Sequence, residues 1–289
     1  MTDHYCVVGK DVTHSPSPAM MNAAFKTLGI DADYRQVSVP EQGFVREFSH
    51  LLSSRVKGMN VTIPFKTVVI PLLAGLDAVA TRIQAVNTVK MEEDGRYLGH
   101  NTDPDGIQEP LRPLTASLDV RNALLIGAGG AARAFCEAMN RMGIIDVSVV
   151  IRGSARSRDF VSEMEKAFPR MNFTTAAMDD LRHLNHDLVF NASPMGSDGG
   201  PLPQELRRLL PGSKVVFDAV YRPRETNLLA EAKKNGAQVI HGEEMLLWQG
   251  MAAFKLWTGK EAPEKEMRRA LHAALRGARR RPGGGSRER

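Results

Sequence analysis

The strongest constraint on the fold is a short glycine-rich turn, Gly127-Ala128-Gly129-Gly130-Ala131-Ala132, set between an apolar run and a helical stretch. NALLIG, residues 122–127, reads as a buried strand, and the segment that follows reads as a loop and helix ending near Gly143. The pattern is G-x-G-x-x-A. Gly127 permits the tight turn, Gly129 lets backbone approach a pyrophosphate, and Ala132 keeps helix close to strand. The first amides of such a helix face a bound anion. A lone glycine turn is weak ground for a nucleotide site, because glycines also mark ordinary turns. Here it opens a series. VSVVI (147–151), FTTAA (173–177), DLVFNA (187–192), KVVFDA (214–219) and QVIHG (238–242) are strand-like, and helical stretches near 155–167, 203–210 and 226–235 separate several of them. That alternation predicts a doubly wound, Rossmann-like parallel sheet that binds a dinucleotide. Gly127, Ala128, Gly129, Gly130 and Ala131 are its expected cofactor-binding turn, with Gly242 at the close of the last strand.

The strand after the turn should end beside the adenosine ribose. NAD sites place Asp or Glu there, whereas a 2′-phosphate needs cations. The strand end reads Ile151-Arg152-Gly153-Ser154-Ala155-Arg156-Ser157-Arg158, with no carboxylate until Asp159. Arg152, Arg156 and Arg158 suit a phosphate clamp. The plainer reading is a solvated loop with charges at a helix start. The missing acid tips the expectation to NADP.

The first hundred residues carry a second α/β pattern. Strands are expected at YCVVG (5–9), RQVSV (35–39) and GMNVTI (58–63), with helices over 17–28 and 42–52 and another from about Pro64. Two runs, 86–91 and 96–101, flank Asp94-Gly95, a strong hairpin signal. The expected sheet is mostly parallel with this hairpin at one edge. Two more helices, 243–258 and 264–275, end the folded pattern and are expected to pack back on the first unit. The fold class is therefore two α/β domains.

Charge and cysteine content narrow the function. Of 38 basic and 33 acidic residues, six arginines and one glutamate lie in residues 276–289, so the rest of the chain is formally neutral. The net charge of +5 belongs to a basic tail that is too polar to build a core. The body offers no basic stripe for nucleic acid. Cys6 and Cys136 are too few for a disulfide framework or a cysteine zinc site. With no signal peptide and no long apolar run, a cytoplasmic protein is expected, free of membrane and metal.

Polar residues gather at the strand ends of the first unit: Ser15 and Ser17, Asn60 through Lys66, Asn87-Thr88, and Asn101-Thr102-Asp103. Open α/β sheets bind ligands at such ends. Each cluster alone has an ordinary explanation: helix caps for the serines, solvation for Lys66, turn bonding for Asn87 and Asp103. Together they suit a small polyhydroxylated acid.

The motifs SPSP, NVTIPFK, AVNT, NTD, GAGGAA and GEEMLLWQ occur in the order found in shikimate dehydrogenases and span nearly the whole chain, so the sequence resembles that family. The resemblance implies reversible reduction of 3-dehydroshikimate to shikimate with NADPH, a CH–OH dehydrogenase step on the chorismate route to aromatic amino acids. It implies a substrate domain from 1–103 plus 243–275, a nucleotide domain over 104–242, and a tail over 276–289. By motif, Lys66 and Asp103 match the catalytic pair, with Asp105 a weaker competitor. Ser15 and Ser17 resemble the pair that holds the substrate carboxylate. Asn60, Thr62, Asn87 and Gln249 resemble the groups that fix ring hydroxyls and carboxylate, and Tyr221 resembles a tyrosine reaching that carboxylate. Arg152 and Arg156 match basic positions of the family's N-R-T-x-x-R loop, while Ile151 and Gly153 depart from it. The alternatives are a quinate/shikimate dehydrogenase using NAD, a homologue acting on a related cyclohexene acid, a folate-linked dehydrogenase, and a non-catalytic nucleotide sensor. Small-molecule ligands and a monomer or homodimer are expected.

Overall fold

The computed structural model describes residues 2–151, 155–178, 181 and 185–277, and among these twelve strands form two six-stranded sheets. The first contains β1 (Asp3–Gly9), β2 (Ala32–Ser38), β3 (Gly58–Val61), β4 (Gly75–Leu76), β5 (Thr88–Met91) and β6 (Tyr97–His100), in the order β2-β1-β3-β5-β6-β4. β2, β1 and β3 run parallel, and β5 and β6 form the antiparallel hairpin around Asp94-Gly95. The second contains β7 (Asn122–Ile126), β8 (Asp146–Ile151), β9 (Asn172–Ala177), β10 (Leu188–Asn191), β11 (Val215–Asp218) and β12 (Gln238–Ile240). Its order is β12-β11-β10-β7-β8-β9, with every pair parallel. The strand order reverses between β7 and β10, where sheets of this kind open a crevice.

The helices are α1 (Ser17–Thr27), α2 (Phe44–Ser53), α3 (Ala78–Ile83), α4 (Asp103–Leu118), α5 (Gly130–Met142), α6 (Ala155–Ala167), α7 (Gln204–Leu209), α8 (Asn227–Lys234), α9 (Gly242–Thr258) and α10 (Glu264–Gly277). The chain leaves the first sheet through α4 and returns through α9. Trp257 on α9 donates its indole N–H to the Val89 carbonyl at 3.0 Å and lies over Gly58, where a Cβ would sit 2.4 Å from the ring nitrogen. Leu247, Phe254, Met267 and Leu271, from α9 and α10, join Tyr5, Met20, Phe25 and Tyr34 in one buried cluster. No helix of the described residues is long and apolar enough to cross a membrane.

Three features differ from the sequence-based expectation. Pro64 opens turns that lead to a 3-10 turn at Ile70–Leu72, not an α-helix. The run Val68-Val69-Ile70 is β-branched and Pro71 lacks an N–H, so a continuing helix is disfavoured. The hairpin does not form the sheet edge, because the two-residue strand β4 pairs parallel with β6 outside it. Between them, α3 and α4 account for segments with no expected element. α4 contains Pro110 and Pro113, which mask its helical pattern.

α4 and α9 cross at Gly106, where a Cβ would stand 2.6 Å from the Met245 carbonyl oxygen and 3.0 Å from Gln249 Cβ. Alanine gains about 1 kcal/mol of helix propensity over glycine, but forcing atoms into a packed interface costs about 1–3 kcal/mol. Gly106→Ala is therefore expected to lower stability, read as a reduced denaturant midpoint with an unchanged slope.

Candidate active site

The loops after β3 and β6 and the residues just before β5 converge at one end of the first sheet. Asn101 Nδ2 donates to the Ala85 carbonyl (2.8 Å) and its Oδ1 accepts the Asp103 N–H (3.0 Å), which fixes the turn into α4. Asp103 is the first residue of that helix. Its Oδ2 pairs with the Lys66 ammonium, and its Oδ1 accepts from Asn87 Nδ2 at 2.8 Å. The two side chains of the pair are 15% and 5% exposed. Lys66 backbone is held in turn, its carbonyl accepting the Val86 N–H at 2.7 Å.

A buried amide network surrounds the pair. Asn87 Oδ1 accepts the Thr102 N–H (2.7 Å) and the Thr88 hydroxyl (2.9 Å), and its Nδ2 reaches Gln249 Oε1 at 3.4 Å. Asn60 donates to the Asn87 carbonyl (3.2 Å) and accepts the Tyr34 hydroxyl (2.7 Å). Burial pushes the Tyr34 phenol well above its ordinary range, so it remains a donor. Lys66, Asp103, Asn87, Asn60 and Gln249, all expected from sequence, are thus linked directly. Thr62 packs its methyl over Gly9, where a Cβ would lie 2.5 Å away. Ser15 donates its hydroxyl to Ser17 Oγ at 3.1 Å and accepts the Ser17 N–H at 3.3 Å, on the loop entering α1. Tyr221, just after β11, is half-buried, and burial raises its phenol above the ordinary value. Asp105 takes another course. Its carboxylate pairs with Arg141 at 3.2 Å, leaving Asp103 to Lys66. Thr88 was expected beside Asn87 as a strand-end polar residue, but Tyr34 was not foreseen, since no local motif marks a tyrosine that meets an asparagine on another strand.

The glycine turn lies beside this cluster. Gly127 has φ +114°, and a Cβ there would lie 3.1 Å from the Ala192 carbonyl carbon, so the residue must be glycine. At Gly129 a Cβ would meet nothing within 4 Å, which leaves room for a ligand against bare backbone. At Gly130 it would come within 2.9 Å of Lys66 Cδ, so the turn and the lysine are in contact across the two units. Ala128, Gly129 and Gly130 line a cavity of about 310 Å³ with Thr67, Arg133 and Phe160. Ala131 follows in the first turn of α5, and Ala132 is fully buried. Open space over Gly129, at the start of a helix whose first amides lack intrahelical partners, fits a dinucleotide pyrophosphate. Gly242 has a packing reason, since a Cβ there would lie 2.6 Å from the Ala219 carbonyl oxygen. Arg152 and the side chain of Arg156 lie outside the described residues, and Arg158 sits in the first turn of α6. Among the described residues one trio, Glu243, Glu244 and His272, brings carboxylates and a histidine together, and its carboxylates already pair with Arg224 and Arg268.

Comparison with known proteins agrees with this layout. The family model of the shikimate dehydrogenase substrate binding domain matches residues 7–89, and that of the shikimate 5′-dehydrogenase C-terminal domain matches residues 242–272. The chain is 35% identical over 277 residues to the shikimate dehydrogenase (NADP(+)) of Symbiobacterium thermophilum, covering 94% of each chain. Shikimate 5-dehydrogenase of Thermus thermophilus, solved with NADP(H) and shikimate, superposes with a TM-score of 0.82 at 33% identity, covering 94% of this chain and 100% of that one. Quinate dehydrogenase of Corynebacterium glutamicum, solved with NAD, has a TM-score of 0.85 at 26% identity over 94% and 99% of the two chains. With a lysine–aspartate pair set against a glycine-rich turn, and matching sequence over nearly its full length, the chain belongs to the shikimate dehydrogenase family.

Proposed function

We propose that this chain is an NADP-dependent shikimate dehydrogenase that interconverts 3-dehydroshikimate and shikimate on the route to chorismate and the aromatic amino acids. The observation that carries the reading is the Lys66–Asp103 pair in contact with the glycine turn through Gly130. Residues 1–103 and 243–275 form the substrate half, and 104–242 form the nucleotide half, with 276–289 a basic tail. The enzyme acts in the cytoplasm on small molecules, as a monomer or homodimer.

NADPH, when bound, supplies the hydride that reduces the substrate carbonyl carbon. Lys66 donates a proton from Nζ to the carbonyl oxygen as negative charge develops there. Asp103 holds the ammonium in place, and Asn87 holds Asp103 by donating to its other oxygen. In the oxidation direction the same pair receives the proton. Asn60, Thr62, Asn87 and Gln249 orient the ring hydroxyls and carboxylate. Ser15 and Ser17 donate to the carboxylate near the start of α1. Tyr221 adds a third donor from the nucleotide half, and its raised phenol stays protonated there. Arg152, Arg156 and Arg158 hold the 2′-phosphate of NADP.

The quinate dehydrogenase reading is supported by the similar TM-score, while the higher identity to shikimate dehydrogenases supports shikimate. Oxidation rates for shikimate and quinate, each with NADP and NAD, separate the two. Shikimate with NADP should be fastest, and inactivity in all four mixtures overturns the dehydrogenase reading. Lys66→Ala should lower kcat by ~10²–10⁴-fold with a smaller change in shikimate affinity. A normal kcat with only a raised KM would make Lys66 a binding group. Neutralising Arg152 and Arg156 together should weaken NADP by roughly tens- to hundreds-fold and spare NAD, with raised salt reproducing part of the loss. Equal losses for both cofactors would count against a phosphate clamp.

A further inference from the structure

One face of α5 meets the substrate half at Gly130, Arg133 and Glu137 and the start of α4 at Arg141. Positions 130, 133, 137 and 141 recur at helical spacing, and each meets a residue from outside the nucleotide sheet. Gly130 abuts Lys66. Arg133 donates from Nη1 to the Ile83 carbonyl at the end of α3, at 3.1 Å. Glu137 accepts from Arg82 Nη1 on α3 with both carboxylate oxygens, at 3.0 and 2.8 Å. Arg141 donates to Glu137 at 2.9 Å and to Asp105 on α4 at 3.2 Å.

Glu137 is the buried member of this seam. Its side chain is 2% exposed, against 40% for Arg82 and 27% for Arg141. One negative charge therefore lies between two cations. Without it, the joint between α3 and α5 loses the bidentate tie to Arg82 and leaves Arg82 and Arg141 with no charge between them, a repulsion that their partial exposure screens only in part.

We infer that Glu137 is a positioning residue for the proposed dehydrogenase reaction, holding the cofactor-binding turn at a set distance from Lys66. The inference rests on that reading of the chain. The hydride donor is seated by the first turn of α5, while the ketone and its proton donor are seated by the substrate half. Glu137 lies seven residues, roughly 10 Å, further along the same rigid helix. Fixing it to Arg82 fixes the turn. Hydride transfer demands that the reacting atoms approach to ~3–3.5 Å, whereas binding of NADP to one half or shikimate to the other makes no such demand. Loss of the Glu137 charge should act on turnover and leave both affinities nearly intact.

The test compares Glu137→Gln, Arg82→Gln and Arg82→Lys with wild type, each corrected for folded fraction by thermal unfolding. Arg82 is partly exposed, so Arg82→Gln keeps Glu137 paired with Arg141 and guards against a misfolded Glu137→Gln. Both glutamine variants should lose roughly 10- to 100-fold in kcat, the scale of a misplacement of about 1 Å. NADP affinity by fluorescence titration and the KM for shikimate should change little. The primary deuterium isotope effect with shikimate labelled at the oxidised carbon should rise as hydride transfer becomes rate-limiting. Arg82→Lys, which keeps the cation, should recover most of the turnover. Unchanged kcat in a folded Arg82→Gln, or equal losses in turnover and both affinities, overturns the inference while wild type remains active. Inactive wild type overturns the dehydrogenase reading and this inference together.

Discussion

A lysine and an aspartate that are largely withdrawn from water dictate much of the surrounding structure. Removing charges from solvent is costly unless geometry and hydrogen bonds compensate. Lys66 and Asp103 meet that requirement through layers of neutral donors and acceptors. Asn87 holds the free oxygen of Asp103, Thr102 and Thr88 hold Asn87, and Asn60 with Tyr34 closes the network behind them. Buried amides and hydroxyls are costly when left unpaired, so each member constrains the next. The pair is thus oriented by the protein's own side chains.

Placing that pair beside the glycine-rich turn depends on how two sheets are joined. α4 begins at Asp103 and α9 carries Gln249, so the same two helices that connect the units also deliver residues to the site. Their crossing at Gly106 brings Gln249 within reach of Asn87. A larger residue at the crossing would alter the site and the joint at once. The geometry of the site and the joint between the two sheets therefore share their supports.

The second sheet was readable from sequence because its strands are short apolar runs separated by helical stretches, and all six appear where expected. The hairpin was readable from Asp94-Gly95 alone. α4 was not, because Pro110 and Pro113 signal an ending inside a helix that tertiary packing sustains. The expected helix after Pro64 failed for the opposite reason, since nothing in its pattern outweighs a β-branched run and Pro71. At the site, strand-end motifs pointed to Lys66, Asp103, Asn60 and Asn87. Tyr34 escaped notice because its partner lies 26 positions away and two strands across. Glu137 escaped for a related reason. Within a helix it looks like any surface glutamate, and only the fold brings Arg82 against it.

The seat of Trp257 over Gly58 bears on the order in which the chain can assemble. Every strand of the second sheet lies between residues 122 and 240, so that unit holds its own sheet in one continuous stretch. The strands of the first sheet are also continuous, between residues 3 and 100, but the packing of one of its faces is not. Tyr5, Phe25 and Tyr34, among the earliest residues made, complete their packing only with Leu247, Phe254, Met267 and Leu271, among the last. During synthesis one face of the first sheet waits for the end of the chain, although all six of its strands are made before the second sheet begins.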